Sequence, residues 1–257
     1  MNTETVNQST FDIFYEKKEL EQSCLDNAIN KIPWLQKFKV VSGESQERPD
    51  FLLEGDNKFI GIEHFHIDML YINRKKHTGL ARYTYNDIRT LFKKYHVKAV
   101  SNTFEWQDAK DAGIEFEKIF NELIDSQNRF DYNFFIKEWD RIFTQHYNKR
   151  LEYIKDKNLD KLGFLIEIRR YFKFPYICNK NNTTINLNSK SIPITKEIAE
   201  YLSKFGDGVD FFVIVVKGLL DDYVSVEFYD KDNPARANYD NFKFNKIPGK
   251  FKISVKK

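Results

Sequence analysis

Cysteine is scarce in this chain: Cys24 and Cys178 are the only two among 257 residues. Two cysteines so far apart make neither a disulfide framework nor a Cys-rich zinc site. No apolar run approaches the roughly 20 residues a membrane span needs. The opening MNTETVNQSTFDIFYEKKEL lacks the basic-then-apolar order of a signal peptide. Glycine (10) and proline (6) are few, and disorder is not expected over most of the length. Neither sign of charge dominates: 41 Lys and Arg against 38 Asp and Glu leave +3. So mild a balance neither requires nor excludes nucleic acid. A Gly-rich phosphate loop, a Gly-x-Ser-x-Gly elbow and an evident Cys-His pair are missing too. Their absence argues against nucleotide-driven motors, serine hydrolases and thiol proteases. The expectation is a soluble cytoplasmic protein with no membrane partner.

What is present is a globular composition, 41% apolar and 31% charged. Ser9 or Thr10 is placed to cap a helix running to about Lys31. Steps of 100° put Phe14, Leu25, Ala28 and Ile32 on one stripe, with Glu21 in its middle. Three β-like runs follow, at 37–43, 49–55 and 58–67. The EGDN turn between the last two favours a hairpin. Residues 80–158 read as helical, including one long amphipathic helix over 132–155. Next come a strand at 162–168, a polar loop at 179–191 and a helix closed by Gly206. Strands are expected at 209–218 and 222–230, then a basic tail with an edge strand at FKISV. This order gives one α/β domain over 1–257, with a mixed central sheet flanked by helices. The 80–158 stretch is a helical insertion or subdomain within it.

The stretch RPDFLLEGDNKFIGIEHFHID (48–68) carries the chemistry. Asp50 and Glu63 lie on adjacent strands joined by a short turn, so their carboxylates can converge. Paired hard oxygens suit Mg²⁺ or Mn²⁺, and Glu21 of the first helix can complete the shell. Glu63 is flanked by Ile60, Ile62, Phe65 and Ile67, where an unpaired carboxylate is costly. The alternative is structural: Asp50 in a turn and Glu63 on a solvated face.

A helix followed by three meandering strands, with PDF opening the second and GIEHF in the third, resembles the PD-(D/E)xK nuclease superfamily. The resemblance covers residues 11–68 and extends more loosely to LGFLIEI. It implies a restriction-endonuclease-like fold and metal-dependent hydrolysis of phosphodiester bonds, with DNA as the expected substrate. Asp50 matches the family aspartate, Glu63 the acid of the second half-motif, Glu21 the helical glutamate and Pro49 the preceding proline. The departure is at Phe65, where the family has lysine. Lys58, Lys75 and Lys76 are the nearest candidates for a displaced lysine. Another group can substitute for it. Failing either, the chain is a catalytically degenerate binding or interaction protein on the same fold.

Other groups were weighed beside these. His64, His66 and Asp68 alternate on the opposite face of the third strand. Histidines at that spacing can bind zinc, but no cysteine or further histidine partner is apparent. Arg74, Lys75 and Lys76 form a basic cluster, read either as a solvated loop or as phosphate contacts. Phe134, Phe135, Trp139, Phe143, Tyr147, Arg150 and Tyr153 form an aromatic and basic stripe. It reads first as core or homodimer interface, and second as a platform for stacked bases.

Overall fold

The hairpin expected at 49–68 forms around a two-residue turn. In the computed structural model Asp56 and Asn57 both adopt positive φ, 53° and 57°. Two such residues match the twist of the flanking strands, and Asx side chains tolerate that region best after glycine. Strand β2 (Phe51–Gly55) thereby pairs antiparallel with β3 (Lys58–Asp68), placing Phe51 opposite Ile62. The structure describes residues 17–41, 49–68, 80–127, 132–155, 158–170, 176–178, 192–206, 208–218, 224–240, 242–244, 249–250 and 252–254.

Before the hairpin lie helix α1 (Lys17–Lys31) and the two-residue strand β1 (Lys39–Val40), shorter than the expected run. The expected helix start at Ser9 or Thr10, and Phe14, lie outside the described residues. After the hairpin come α2 (Leu80–Val100), α3 (Trp106–Gln127), α4 (Tyr132–Asn148), α5 (Arg150–Lys155) and β4 (Lys161–Arg170). The chain continues with β5 (Tyr176–Cys178), α6 (Lys196–Tyr201), β6 (Phe211–Gly218), β7 (Val224–Asp230) and β8 (Phe242–Phe244). A six-stranded mixed sheet runs β1-β2-β3-β4-β6-β7, and β5 pairs with β8 apart from it.

Strands β3, β4 and β6 are parallel, and β2 and β7 join them antiparallel. Parallel central strands are covered on both faces, so they read as continuous apolar runs rather than alternating ones. The FFVIVV stretch of β6 is such a run, with Phe211 to Val216 all buried. One face packs on α1, where Cys24, Leu25 and Ala28 meet Ile60, Ile62, Leu165 and Val213. The other packs on α4 and α6, where Phe135, Trp139, Phe143 and Ile198 meet Phe65, Ile67, Phe164 and Phe212. Full burial of each Leu, Ile or Phe contributes roughly 1.5–3 kcal/mol. The aromatic stripe of α4 is therefore core. Of the 80–158 stretch, α4 lies on β3, while α2 and α3 pack on each other.

Three expectations need correction. The helix expected to close at Gly206 ends at Tyr201. The helix expected over 132–155 is two helices, interrupted at Lys149. There the Lys149 N–H donates to the His146 carbonyl at 3.1 Å, a three-residue step that ends the first helix. Of the edge strand expected at FKISV, the described residues 252–254 are irregular; among the described residues the last strand is β8. The polar loop at 179–191 lies outside the described residues. Among the described residues no helix is long and apolar enough to cross a membrane.

Candidate metal centre

Strand β2 begins at Phe51, so β3 beyond Ile62 has no β2 backbone to pair with. Asp50 fills the first gap: its Oδ2 accepts the His64 backbone N–H at 2.7 Å. The same device recurs at the start of two other strands. Asp160 accepts from the Phe59 N–H at 2.7 Å, and Asp210 from the Leu162 N–H at 2.8 Å. All three aspartates thus extend a ladder with a carboxylate.

What sets Asp50 apart is its surroundings. Its carboxyl is pushed up to about 6, chiefly by burial, then by the negative charge of Glu63, with Glu21 adding to it. The His64 N–H bond acts in the other direction. Asp50 thus feels the charge of both other acids singled out in the sequence. Asp50 is brought there by Pro49, which packs over Gly61. A Cβ on Gly61 would stand 2.8 Å from Pro49 Cγ and 2.6 Å from Leu159 Cδ1. Only glycine admits so close an approach.

Glu63 points toward α4. Its Oε1 lies 3.0 Å from His146 Nδ1, which is also 3.3 Å from the Tyr153 hydroxyl. Its Oε2 is buried and has no hydrogen-bond partner. A buried bare carboxylate oxygen is costly unless a cation meets it. Hard oxygens have the chemistry for Mg²⁺ or Mn²⁺, yet the three acids do not close on one point: Glu21 of α1 lies beside His64, on the sheet face opposite Glu63, and among the described residues the ligand atoms that gather within 4.8 Å are those of Cys24, His64 and Glu167.

Phe65 shares the Glu63 face two residues on. It is 3% exposed and stacks on the His146 ring, centroids 4.4 Å apart and planes 14° apart. Phe143 and Phe164 meet it edge-on. The lysine position of the motif is thus apolar, and the nitrogen beside Glu63 Oε1 is His146 Nδ1. Sequence reading missed this histidine. Its signal was there: Phe135, Trp139, Phe143 and His146 continue one helical stripe at steps of four, four and three.

Lys58 does not serve as the displaced lysine. It is exposed at the hairpin turn, opposite Gly55. Five residues of strand separate it from Glu63, roughly 16 Å. Arg74, Lys75 and Lys76 lie outside the described residues. Compared with known protein families, curated proteins and solved structures, the chain matches none.

Proposed function

We propose that this chain is a metal-dependent nuclease that hydrolyses phosphodiester bonds, with DNA as substrate, on a restriction-endonuclease-like core. One observation carries the reading. Glu63 Oε2 is buried with no hydrogen-bond partner, and its charge reaches the half-buried Asp50, whose carboxyl is pushed up to about 6 chiefly by burial and then by Glu63. Carboxylates crowded this way are relieved by a cation. Asp50 and Glu63 would hold Mg²⁺ or Mn²⁺, which would supply a Lewis acid and an acidified water, with Glu21 acting on Asp50 through its charge. The protein's own groups do the rest. The His64 N–H fixes Asp50 at the open end of β2. His146 holds Glu63 through Nδ1 and takes the place of the absent lysine as the nitrogen that orients water. Phe65 keeps that imidazole flat and dry on one side. Arg74, Lys75 and Lys76 supply phosphate contacts.

A second reading is favoured by Phe65. A buried ring where an ammonium is expected also suits a protein that binds without cutting. One experiment separates the two. Purified protein is incubated with supercoiled plasmid and with short single-stranded DNA, in Mg²⁺, in Mn²⁺ and in chelator, beside Asp50→Ala and Glu63→Ala. The nuclease reading expects metal-dependent cutting that both variants lose. Absence of cutting, with melting raised by metal only in the wild type, moves the conclusion to the binder. Absence of both effects removes the metal centre itself.

A further inference from the structure

The other face of β3 carries a different donor set. Cys24 of α1, His64 of β3 and Glu167 of β4 are all buried, and one ligand atom from each lies within 4.8 Å of the other two. His64 Nε2 stands 3.2 Å from Glu167 Oε2. Yet Nε2 makes no aligned hydrogen bond, and it is shut off from solvent. A ring nitrogen and a carboxylate oxygen this close, without an N–H aimed between them, are arranged as two ligands of a third atom. Metal–nitrogen and metal–oxygen bonds of about 2.0–2.1 Å at a tetrahedral centre put those two atoms about 3.3 Å apart. The partner that a zinc site on His64 lacked in the sequence is thus Cys24, forty residues upstream.

We propose that Cys24, His64 and Glu167 form a zinc site on the α1 face of the sheet. It is separate from the acid pair and does not rest on the nuclease reading. Sulfur, imidazole and one carboxylate select a borderline-soft ion such as Zn²⁺ over Mg²⁺. Thiolate and carboxylate together neutralise a divalent charge, which suits a buried place. Glu21 Oε1 lies 3.8 Å from the second ring nitrogen, Nδ1, too far for a hydrogen bond, so it bears on His64 through its charge alone.

Cobalt reports on such a site directly, because a thiolate–Co²⁺ bond gives a near-ultraviolet charge-transfer band that oxygen ligands do not. The full chain, stripped with chelator, is titrated with Co²⁺ and then with Zn²⁺. The expected result is one equivalent of cobalt with the thiolate band, displaced by zinc, and a melting temperature raised by zinc. Cys178→Ser keeps the band, and so does Asp50→Asn. Cys24→Ser loses it. Glu21→Gln, outside the three ligands, keeps it. Should a substitution at Cys24 prevent folding, the wild-type titration still decides. A folded wild type showing no thiolate band, or a band lost in Cys178→Ser, overturns the site and leaves a buried histidine–carboxylate pair. Loss of DNA cutting in Asp50→Ala bears on the acid pair alone, so the two ideas fail separately.

Discussion

Glu63 and His64 are neighbours in one strand, and they meet opposite chemistry. Glu63 faces α4, with an imidazole and the flat ring of Phe65 on its side of the sheet. His64 faces α1, with a thiol and two carboxylates. Strand alternation makes this possible: one residue step turns a side chain through the sheet. Asp50 belongs to neither face. Bonded to the His64 N–H, its carboxylate lies in line with the ladder, where the charges of Glu63 and Glu21 both reach it. A single strand end can therefore present a carboxylate on one side and an imidazole on the other, with no insertion needed.

The comparison is broken most severely on the Glu63 face. Glu63→Ala is expected to lower metal-dependent cleavage by about 10³-fold or more, since it removes a charge at the reacting centre. Rates on plasmid at saturating Mg²⁺ test this, and near-normal rates would exclude Glu63 from the chemistry. His146→Ala is expected to cost roughly 10²-fold, the scale of a lost proton-handling or orienting group. His146→Gln, able to donate to Glu63 still, should recover part of it. Equal losses in both would restrict His146 to packing.

Gly61→Ala is expected to destabilise by about 1–3 kcal/mol, as Pro49 and Leu159 must give way. Chemical denaturation measures it, and an unchanged midpoint would mean Pro49 does not rest there. Asp50→Asn should do the reverse in metal-free protein. The folded carboxyl binds its proton up to about pH 6, the unfolded one only to about 3.8. Native protein therefore holds the extra proton between those values, and stability falls as pH rises through that window. The amide removes this cost. A gain of about 1–2 kcal/mol at pH 7–8 is expected, allowing for solvent screening of a half-buried group, and it should vanish below pH 4. A loss at pH 8 would contradict the crowding of the three acids. The smallest effect belongs to the far end of the strand. Lys58→Ala, exposed at the turn, should change stability by no more than about 0.5 kcal/mol and leave cleavage untouched.

Local signals carried the hairpin. Asp56 and Asn57 announced the turn, Pro49 the strand start, and Ile60 and Ile62 the buried face. Asp50 and Glu63 follow from that hairpin because both lie on it. His146 and Glu167 do not: they reach β3 only through a parallel crossover, and no spacing along the chain encodes it. Cys24 was visible as a residue and not as a neighbour of His64, for the same reason. The break at Lys149 had no glycine or proline to mark it, so periodicity ran straight through. Strands β5 and β8, three residues each, are too short to show a period.

Phe59 and Asp160, tied by two short bonds at the start of β3 and β4, are 101 positions apart. Drawing such distant segments together costs chain entropy before any contact repays it. Assembly therefore has an order. The β2–β3 ribbon and the α2–α3 pair need only nearby residues and come first; the parallel seam follows. Asp50 and Glu63 are in place early, while His146 and Glu167 arrive when the crossover closes. The newborn polypeptide has its pair of acids well before it has the groups that would put them to use.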